Sequence, residues 1–277
     1  NLKSINKCFI KHWPDLRIMD TEVSTLSNRI EKESDKEPID LSSRTLVRIF
    51  SNGSFKQGGR FYRGWWQNIP SDYRKYITLD SKKTTEYDFS QLNPHMIYHR
   101  YGYELGSEDA YDRVFDGLHR DTVKEAFNAM IQASTPLKTC PNNINIDQLG
   151  ITWTDLKERI LAAHKPITDL FFKGLGNQLQ FEDSCMAESV MLQFAKIDAP
   201  ALPVHDSFIM HHAYGDLGEL EEEMRRAFHG QFKKDINVKS EIGVMLPSSF
   251  DGMDSDELTV EQIVHGPPEY SKWENRN

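Results

Sequence analysis

The feature that most limits the fold is an apolar run that contains an imidazole and a carboxylate. The segment Ala201–Met210 reads ALPVHDSFIM, with Asp206 near its middle. A charged side chain inside such a run needs a partner or a task, because burying an unpaired charge is costly. Pro200 and Pro203 interrupt the chain just before Asp206. We therefore predict a strand from Val204 to His212 that carries this aspartate.

A second predicted strand also carries an aspartate, and a helix follows it closely. Residues 84–89 (TTEYDF) have strand composition, and Asn93-Pro94 offers an N-cap followed by proline at the first position of a helix over 95–101. Asp88 and Asp206 would meet if their strands are neighbours in one sheet. Two carboxylates at one place repel each other, and a divalent cation such as Mg²⁺ relieves that repulsion.

The other elements predict one mixed α/β unit from about residue 46 to the 240s. Apolar periodicity predicts helices over 107–133 and 177–197, and the capping-box sequence 152–155 (TWTD) opens another. A charged helix ending near Lys234 and a strand from Val238 to Met245 complete the unit.

Composition along the chain predicts three parts. Residues 1–43 form an N-terminal extension that ends in a polar linker (29–44), residues 44–246 form the core, and residues 247–277 form an acidic, loosely ordered tail.

The net charge of −9 conceals a basic stretch. Residues 44–86 contain nine Lys or Arg against three acidic residues. They are interleaved with aromatic residues, among them Phe55, Phe61, Tyr62, Trp65, Trp66, Tyr73 and Tyr76. Such a pattern suits a surface that follows phosphates and stacks on bases, although a solvated face with a few core aromatics is an equal alternative.

Other features bound the class of protein. Cys8, Cys140 and Cys185 are far apart and form no C-x-x-C pair, which disfavours a disulfide framework or a zinc site and makes a reducing cytoplasm the default location. No apolar run approaches the ~20 residues that span a bilayer, so we expect no membrane partner.

A cationic row is expected on the helix over 107–133. Arg120 and Lys124 are four residues apart, and Asn128 continues the same face. A phosphoryl-transfer site needs such cations for a triphosphate. An ordinary solvated helix edge is the alternative.

Four motifs in order resemble those of family A DNA polymerases, over residues 59–207. Residues 87–92 (YDFSQL) resemble the family's first metal-binding motif, and 204–207 (VHDS) resembles its second, which usually reads VHDE. Arg120-x-x-x-Lys124 resembles the start of the fingers helix. Gly59-Arg60 followed by 67–70 (QNIP) resembles the segment that precedes the first aspartate.

The resemblance implies an α+β fold. It implies a palm whose antiparallel sheet carries two metal-binding aspartates, with reduced helical fingers. As a departure from the family, we expect neither a full thumb nor an exonuclease domain.

The resemblance also implies a role for individual residues. Asp88 and Asp206 would hold two Mg²⁺ ions, for which Mn²⁺ can substitute, with the backbone carbonyl of Phe89 as a further ligand. Arg120 and Lys124 would bind the incoming triphosphate, and Lys124 would also protonate the departing pyrophosphate. The implied contacts to the primer and template come from Arg60, Gln180 and His205.

Departures from the family's pattern concern the sugar of the nucleotide. Asn93 stands where the family has a glutamate that crowds the 2′ position, and Gln132 stands where a tyrosine is usual. Phe127 comes one position early, since Asn128 holds the place of the family's phenylalanine. These three residues, Asn93, Phe127 and Gln132, would line the nucleotide pocket. Ser207 gives the His-Asp-Ser sequence of single-subunit phage RNA polymerases.

The sequence therefore predicts a small polymerase that adds dNTPs to a DNA primer on a template. The first alternative is an RNA-synthesising polymerase or primase of the same fold, which would use NTPs and RNA. The second is a catalytically silent nucleic-acid-binding subunit, and the third is a His-Asp metallophosphohydrolase, which would place that pair on a helix. The 43 residues before Arg44 are too few for a thumb, so an accessory protein is expected to replace it.

Overall fold

One central strand organises an antiparallel sheet. The computed structural model describes residues 1–32, 38–106, 108–115, 117–216 and 218–243. The strands of this sheet are β1 (Pro14–Leu16), β4 (Ile77–Leu79), β5 (Lys82–Phe89), β6 (Leu202–Val204), β7 (Ser207–His211) and β8 (Val238–Ile242). Strand β5 pairs with β7 along one edge and with β8 along the other, and its first residues pair with β4. Strand β1 pairs with β4, and β6 pairs with β7. The prediction of a mixed fold with an antiparallel sheet is confirmed.

A separate hairpin lies beside this sheet. Strands β2 (Val47–Ser51) and β3 (Ser54–Tyr62) pair antiparallel through an Asn52-Gly53 turn. Both turn residues have positive φ, 54° and 63°, which is the conformation that an Asn-Gly pair favours in a two-residue hairpin.

Helices cover the sheet and the hairpin. Helix α8 packs against β3, and α1 and α10 pack against α8. The helices are α1 (Leu2–Phe9), α2 (Asp20–Lys32), α3 (Ser71–Arg74), α4 (Leu92–Arg100), α5 (Asp112–Phe115), α6 (Arg120–Gln132), α7 (Trp153–Ala163), α8 (Gly176–Ala195), α9 (His212–Asp216) and α10 (Glu219–Phe232). The predicted capping box is confirmed at α7, where the Asp155 amide donates to the Thr152 side chain and the Asp155 carboxylate accepts from the Thr152 amide.

The single helix predicted over 107–133 is wrong. The chain forms the short α5 and then α6, and the two are separated at Gly117, whose φ is 82°. A residue in this left-handed conformation interrupts an α-helix, and glycine adopts it without steric cost. Leu118, within the predicted helix, is 82% exposed as a result.

The N-terminal residues contribute to the same core and sheet. Ile5 and Phe9 of α1 are buried beneath α8, and β1 adds a strand beside β4. Helix α2 runs to Lys32, within the segment predicted as a linker. The predicted acidic tail, 247–277, lies outside the described residues.

Part of the basic and aromatic stretch is structural, as the alternative to a binding surface expects, and nucleic-acid binding by the rest stays a prediction. Trp65 and Trp66 are core residues, 2% and 0% exposed. Arg48 forms an ion pair with Glu188 at 2.9 Å. Phe55, 81% exposed at the β2–β3 hairpin, lies on the surface, as do Lys56 and Arg63. Among the described helices, none has both the length and the apolar composition that crossing a bilayer requires.

Candidate active site

A tight turn presents Asp206. The predicted strand is instead a hairpin, in which His205 and Asp206 form a two-residue turn between β6 and β7, with Val204 opposite Ser207. His205 has a φ of 56°, which is the left-handed conformation that such turns require. Since β6 is the last strand of the sheet, Pro203 within it costs no ladder hydrogen bond.

The sheet register brings the two aspartates to the same place. Asp88 is the second-last residue of β5 and lies directly opposite Ser207, the residue that follows Asp206. Residues that oppose each other in antiparallel strands share a face of the sheet. The turn therefore holds Asp206 beside Asp88.

Side chains from a distant segment fix the hairpin. Gln67 Nε2 donates to the carbonyl oxygen of Pro203 at 3.1 Å and to that of Phe61 at 2.9 Å. Trp66 Nε1 donates to the same Pro203 oxygen at 3.0 Å. These bonds secure a short edge strand, which explains physically why the QNIP segment accompanies the aspartate hairpin.

Both aspartates line one open cavity of about 520 Å³, which we call the acidic cavity. Its wall also contains Glu86, Lys124, His205 and Lys239. Lys124 projects from α6, so the helix and the sheet face each other across this space. A cation and two carboxylates therefore converge on a volume that solvent can enter.

The electrostatics of Asp88 show crowded negative charge. Burial between the walls of the cavity and the nearby Asp206 carboxylate raise the pKa of Asp88 to about 7, against the opposing charge of Lys124. The Asp88 side chain is exposed to solvent at the end of its strand, so water moderates the effect of burial and we give more weight to Asp206. A cation between the two carboxylates would favour their ionised forms.

Sequence reasoning missed a third carboxylate on this wall. Glu86 accepts from Ser207 Oγ at 2.6 Å and from Arg74 Nε at 2.9 Å. Lys239 of β8, also missed, lies directly opposite Asp88. The two-residue period of a strand could have identified Glu86, because residues 86 and 88 of one strand share a face.

A second cavity of about 230 Å³ adjoins the first, and we call it the amide cavity. It shares Lys124, His205 and Asp206 with the acidic cavity. Its remaining polar wall residues are Arg60, Asn93, Asn128, Gln132 and Gln180. Four of these are uncharged amides, so this space suits a polar ligand that offers both donors and acceptors.

Helix packing sets the geometry of the amide cavity. Asn93 Nδ2, on α4, donates to Asn128 Oδ1, on α6, at 2.9 Å. At Gly176, where α8 begins, a Cβ atom would lie 2.7 Å from Cγ of Gln132. The absence of a side chain there lets α8 approach the end of α6, and this brings Gln180 and Gln132 to one wall.

Arg60 is oriented by a buried carboxylate. Its Nε donates to Asp183 Oδ2 at 2.8 Å, and the Asp183 side chain is only 2% exposed. Gly59 allows the approach, since a Cβ there would lie 3.0 Å from Ser184 Oγ. Burial raises the pKa of Asp183 to about 7 although Arg60 opposes the shift. Burial also lowers the pKa of Arg60, but Asp183 and Asp206 hold it above its usual value.

Breaking this pair should cost stability in a pH-dependent way. We expect Arg60→Met to lower the free energy of unfolding by about 3–5 kcal/mol near pH 8, because it leaves a buried carboxylate without a partner. The pKa of Asp183 is already raised in the folded state, so folding favours its protonated form, and stability falls as the pH rises through about 7. The loss in the variant should be smaller near pH 5.5. Urea unfolding at both pH values measures it.

A double variant controls for the arginine side chain itself. Asp183→Asn combined with Arg60→Met should recover much of the stability lost near pH 8. Equal losses at the two pH values would show that Arg60 contributes packing rather than charge.

Three predicted residues do not line either cavity. Phe127 is a core residue, fully buried between Tyr111 and Phe171, because the α6 face that meets the cavity carries Asn128 instead. Arg120 donates from Nε and Nη2 to Asp109 Oδ2 at 3.0 and 2.8 Å, one helical turn before Lys124. Phe89 has a buried side chain and pairs with β8.

Comparison with known proteins gives a distant likeness. No protein-family model and no curated protein matches the chain. Among solved structures, it is similar to the POL domain of Pol1 from M. smegmatis in complex with DNA primer-template and dNTP, at 13% sequence identity and a TM-score of 0.46. The match covers 80% of this chain and 51% of that chain, so this chain spans about half the length of the solved domain. We therefore base function on the geometry of the two cavities.

Proposed function

We propose that the chain is a template-directed nucleotidyltransferase that adds dNTPs to the 3′ end of a DNA primer. One observation carries the proposal: Asp88 and Asp206, distant in sequence, line one cavity opposite Lys124. Paired carboxylates that face a cation across an open space suit phosphoryl transfer, in which catalysis consists mainly of positioning and charge stabilisation.

The donor set fits divalent metal ions. Mg²⁺ in proteins is usually held by one or two carboxylates together with substrate phosphate oxygens, and Mn²⁺ accepts the same ligands. Asp88 and Asp206 would hold the ions, with the Phe89 carbonyl as a further ligand. Burial and the neighbouring Asp206 carboxylate raise the pKa of Asp88, and the ions would relieve the repulsion between the two carboxylates. When bound, such ions supply charge stabilisation for the attacking and leaving oxygens.

In this proposal the phosphates of the nucleotide lie in the acidic cavity and its sugar lies in the amide cavity. Lys124 lines both, so its ammonium group can contact the phosphates of a nucleotide whose sugar lies in the amide cavity. Arg120 would extend the phosphate site by exchanging its partner, Asp109, for phosphate oxygens. Asn93 and Gln132 would meet the sugar.

The primer and template would approach the other wall of the amide cavity. Arg60, Gln180 and His205 line it, and we propose that they contact nucleic acid. His205 also lines the acidic cavity, so it lies where the primer end would meet the nucleotide. An accessory protein would hold the duplex.

The Asn93–Asn128 pair favours RNA synthesis as the second candidate function. Both amides lie on the cavity wall, and an amide can donate to or accept from a 2′-hydroxyl group. A wall of this kind tolerates ribose better than a wall that excludes the hydroxyl by bulk. We therefore expect kcat/KM for dNTPs to exceed kcat/KM for matched NTPs by only a small factor.

Asn93→Glu should widen the preference for dNTPs by about tenfold or more, because a longer, charged side chain would crowd the 2′ position. Steady-state kcat/KM for matched dNTP and NTP pairs measures the change. Asn93→Gln, equally long but neutral, separates bulk from charge. If the ratio in Asn93→Glu equals that of the wild type, Asn93 does not contact the sugar.

Primer extension on defined templates tests the proposed function itself. The purified chain should extend a DNA primer with templated dNTPs in Mg²⁺, and a chelator should stop the reaction. Extension only with NTPs would establish the second candidate. Binding of primer-template without any extension would identify a silent nucleic-acid-binding subunit.

A further inference from the structure

A group of three potential metal ligands lies away from both cavities, where the N-terminal segment meets the loop between α8 and β6. It consists of Cys8 of α1, His12, four residues later, and Asp198 of the loop. One ligand atom from each residue lies within 4.8 Å of the other two. We propose that these residues bind a borderline-soft divalent cation, with Zn²⁺ as the natural choice.

The types of ligand favour zinc over the hard cations expected near Asp88. Thiolate, imidazole and carboxylate are the three groups that proteins use for Zn²⁺, whereas Mg²⁺ prefers oxygen ligands alone. Cysteine spacing predicted no zinc site, since no second cysteine is near Cys8. The folded chain supplies the missing ligands from a histidine and an aspartate.

The orientation of His12 is that of a metal ligand. Its Nδ1 lies 2.6 Å from Asp80 Oδ2, so the proton is assigned to Nδ1 and the lone pair of Nε2 is directed away. A carboxylate that holds the far nitrogen of a histidine in this way is typical of zinc sites. His12 Nε2 is itself buried and accepts no hydrogen bond in the described structure. A bound cation would pair this buried acceptor.

The separation of His12 from Asp198 suits a shared cation better than a direct hydrogen bond, whereas Cys8 already forms a hydrogen bond with Asp198. His12 Nε2 lies 3.9 Å from Asp198 Oδ1. That separation is too long for a hydrogen bond. It exceeds by a few tenths of an ångström the N···O edge of a tetrahedron around Zn²⁺, which is roughly 3.3–3.6 Å from the usual bond lengths. A small contraction would complete the set.

Water can reach the proposed metal site, and Lys11 competes with a cation for Asp198. An open cavity of about 290 Å³ is lined by His12 and Asp198, so water can reach the site and supply a fourth ligand. Lys11 Nζ lies 2.8 Å from Asp198 Oδ1, and both side chains are half exposed. Lys11 can therefore turn into solvent when a cation arrives.

Cobalt provides the test, because tetrahedral Co²⁺ absorbs in the visible and gives a near-ultraviolet charge-transfer band when a thiolate binds it. The full chain, stripped of metal, is titrated with Co²⁺ in excess Mg²⁺, which occupies the proposed site at Asp88. We expect one Co²⁺ per chain with a thiolate band, its displacement by Zn²⁺, and a higher Tm with Zn²⁺.

Single variants identify the ligands. Cys8→Ser should abolish the thiolate band, whereas the control Cys140→Ser should keep it, and so should Asp88→Asn. Asp198→Asn should weaken Co²⁺ binding by at least about tenfold, and Asp80→Asn by about 10–100-fold through the orientation of His12. Lys11→Gln should strengthen binding.

The absence of a thiolate band in the wild type would overturn the proposal, and so would a band that persists in Cys8→Ser. Because Cys8 is buried, that variant could fail to fold, and Asp198→Asn at a half-exposed position then decides. Unchanged Co²⁺ affinity in a folded Asp198→Asn chain would also overturn it. These outcomes are independent of primer extension.

Discussion

Replacing Asp88 or Asp206 by asparagine should reduce primer extension by at least about a thousandfold, which corresponds to a loss of about 4 kcal/mol of transition-state stabilisation. The two carboxylates are the only proposed side-chain ligands of the divalent ions, and an amide is a weak substitute for a carboxylate. Stabilisation of the attacking and leaving oxygens, worth several kcal/mol, would be lost with either one.

Binding and folding separate this effect from damage to the protein. Primer-template affinity should stay nearly unchanged, since Arg60, Gln180 and His205 are untouched. Asp88→Asn should not lower the Tm, because it removes one of two repelling charges whose proximity raises the pKa of Asp88. Asp169→Asn, at an exposed position outside both cavities, is the matched control. Extension within about tenfold of wild type in either variant would end the two-metal proposal.

Lys124→Met should lower kcat/KM for dNTP addition by about 10²–10⁴-fold. Lys124 lines both cavities, and we propose that it contacts the triphosphate and protonates the leaving pyrophosphate. Methionine keeps much of the side-chain length but offers neither charge nor proton. Single-turnover primer extension at several dNTP concentrations measures the loss.

Lys124→Arg divides the two roles. Arginine keeps the positive charge and binds phosphate well, but it does not give up a proton near neutral pH. We therefore expect nucleotide affinity close to wild type with a slow chemical step. If Lys124→Arg has both the nucleotide affinity and the rate of the chemical step of the wild type, proton donation by Lys124 is excluded. Lys165→Met, at an exposed position away from the cavities, controls for loss of a surface charge.

Local sequence was enough to predict the elements that position most of the site. The strand that carries Asp88 and the helix that follows it were predicted from composition and a proline, and the structure contains both. The prediction of Asn93 as the N-cap is wrong, because the helix begins at Leu92 with Gln91 as its N-cap. The row of Lys124 and Asn128 follows from helical periodicity. These features depend on residues that are close in sequence, where propensity and spacing decide the outcome.

Features that depend on long-range packing were missed or predicted wrongly. The turn at His205 needs a positive φ that histidine seldom adopts, so the run was predicted as one strand. Phe127 was assigned to the pocket by motif alignment, although a shift of one helical residue turns it into the core. Cys8 and Asp198 are almost the whole described chain apart, and only folding brings them together.

The two-residue turn at His205 and Asp206 makes chain length, rather than residue type, the stringent requirement at this place. Adding one residue there would shift β7 by one position against β5. Every side chain of β7 would then exchange faces, so that Phe208 and Met210 would turn to the face that carries Glu86 and Asp88, and Ser207 would leave it. Substitutions in the turn alter chemistry while leaving the scaffold intact, whereas a change of length alters the scaffold itself. A turn engineered into this hairpin should therefore keep the two-residue length and change only the residue types.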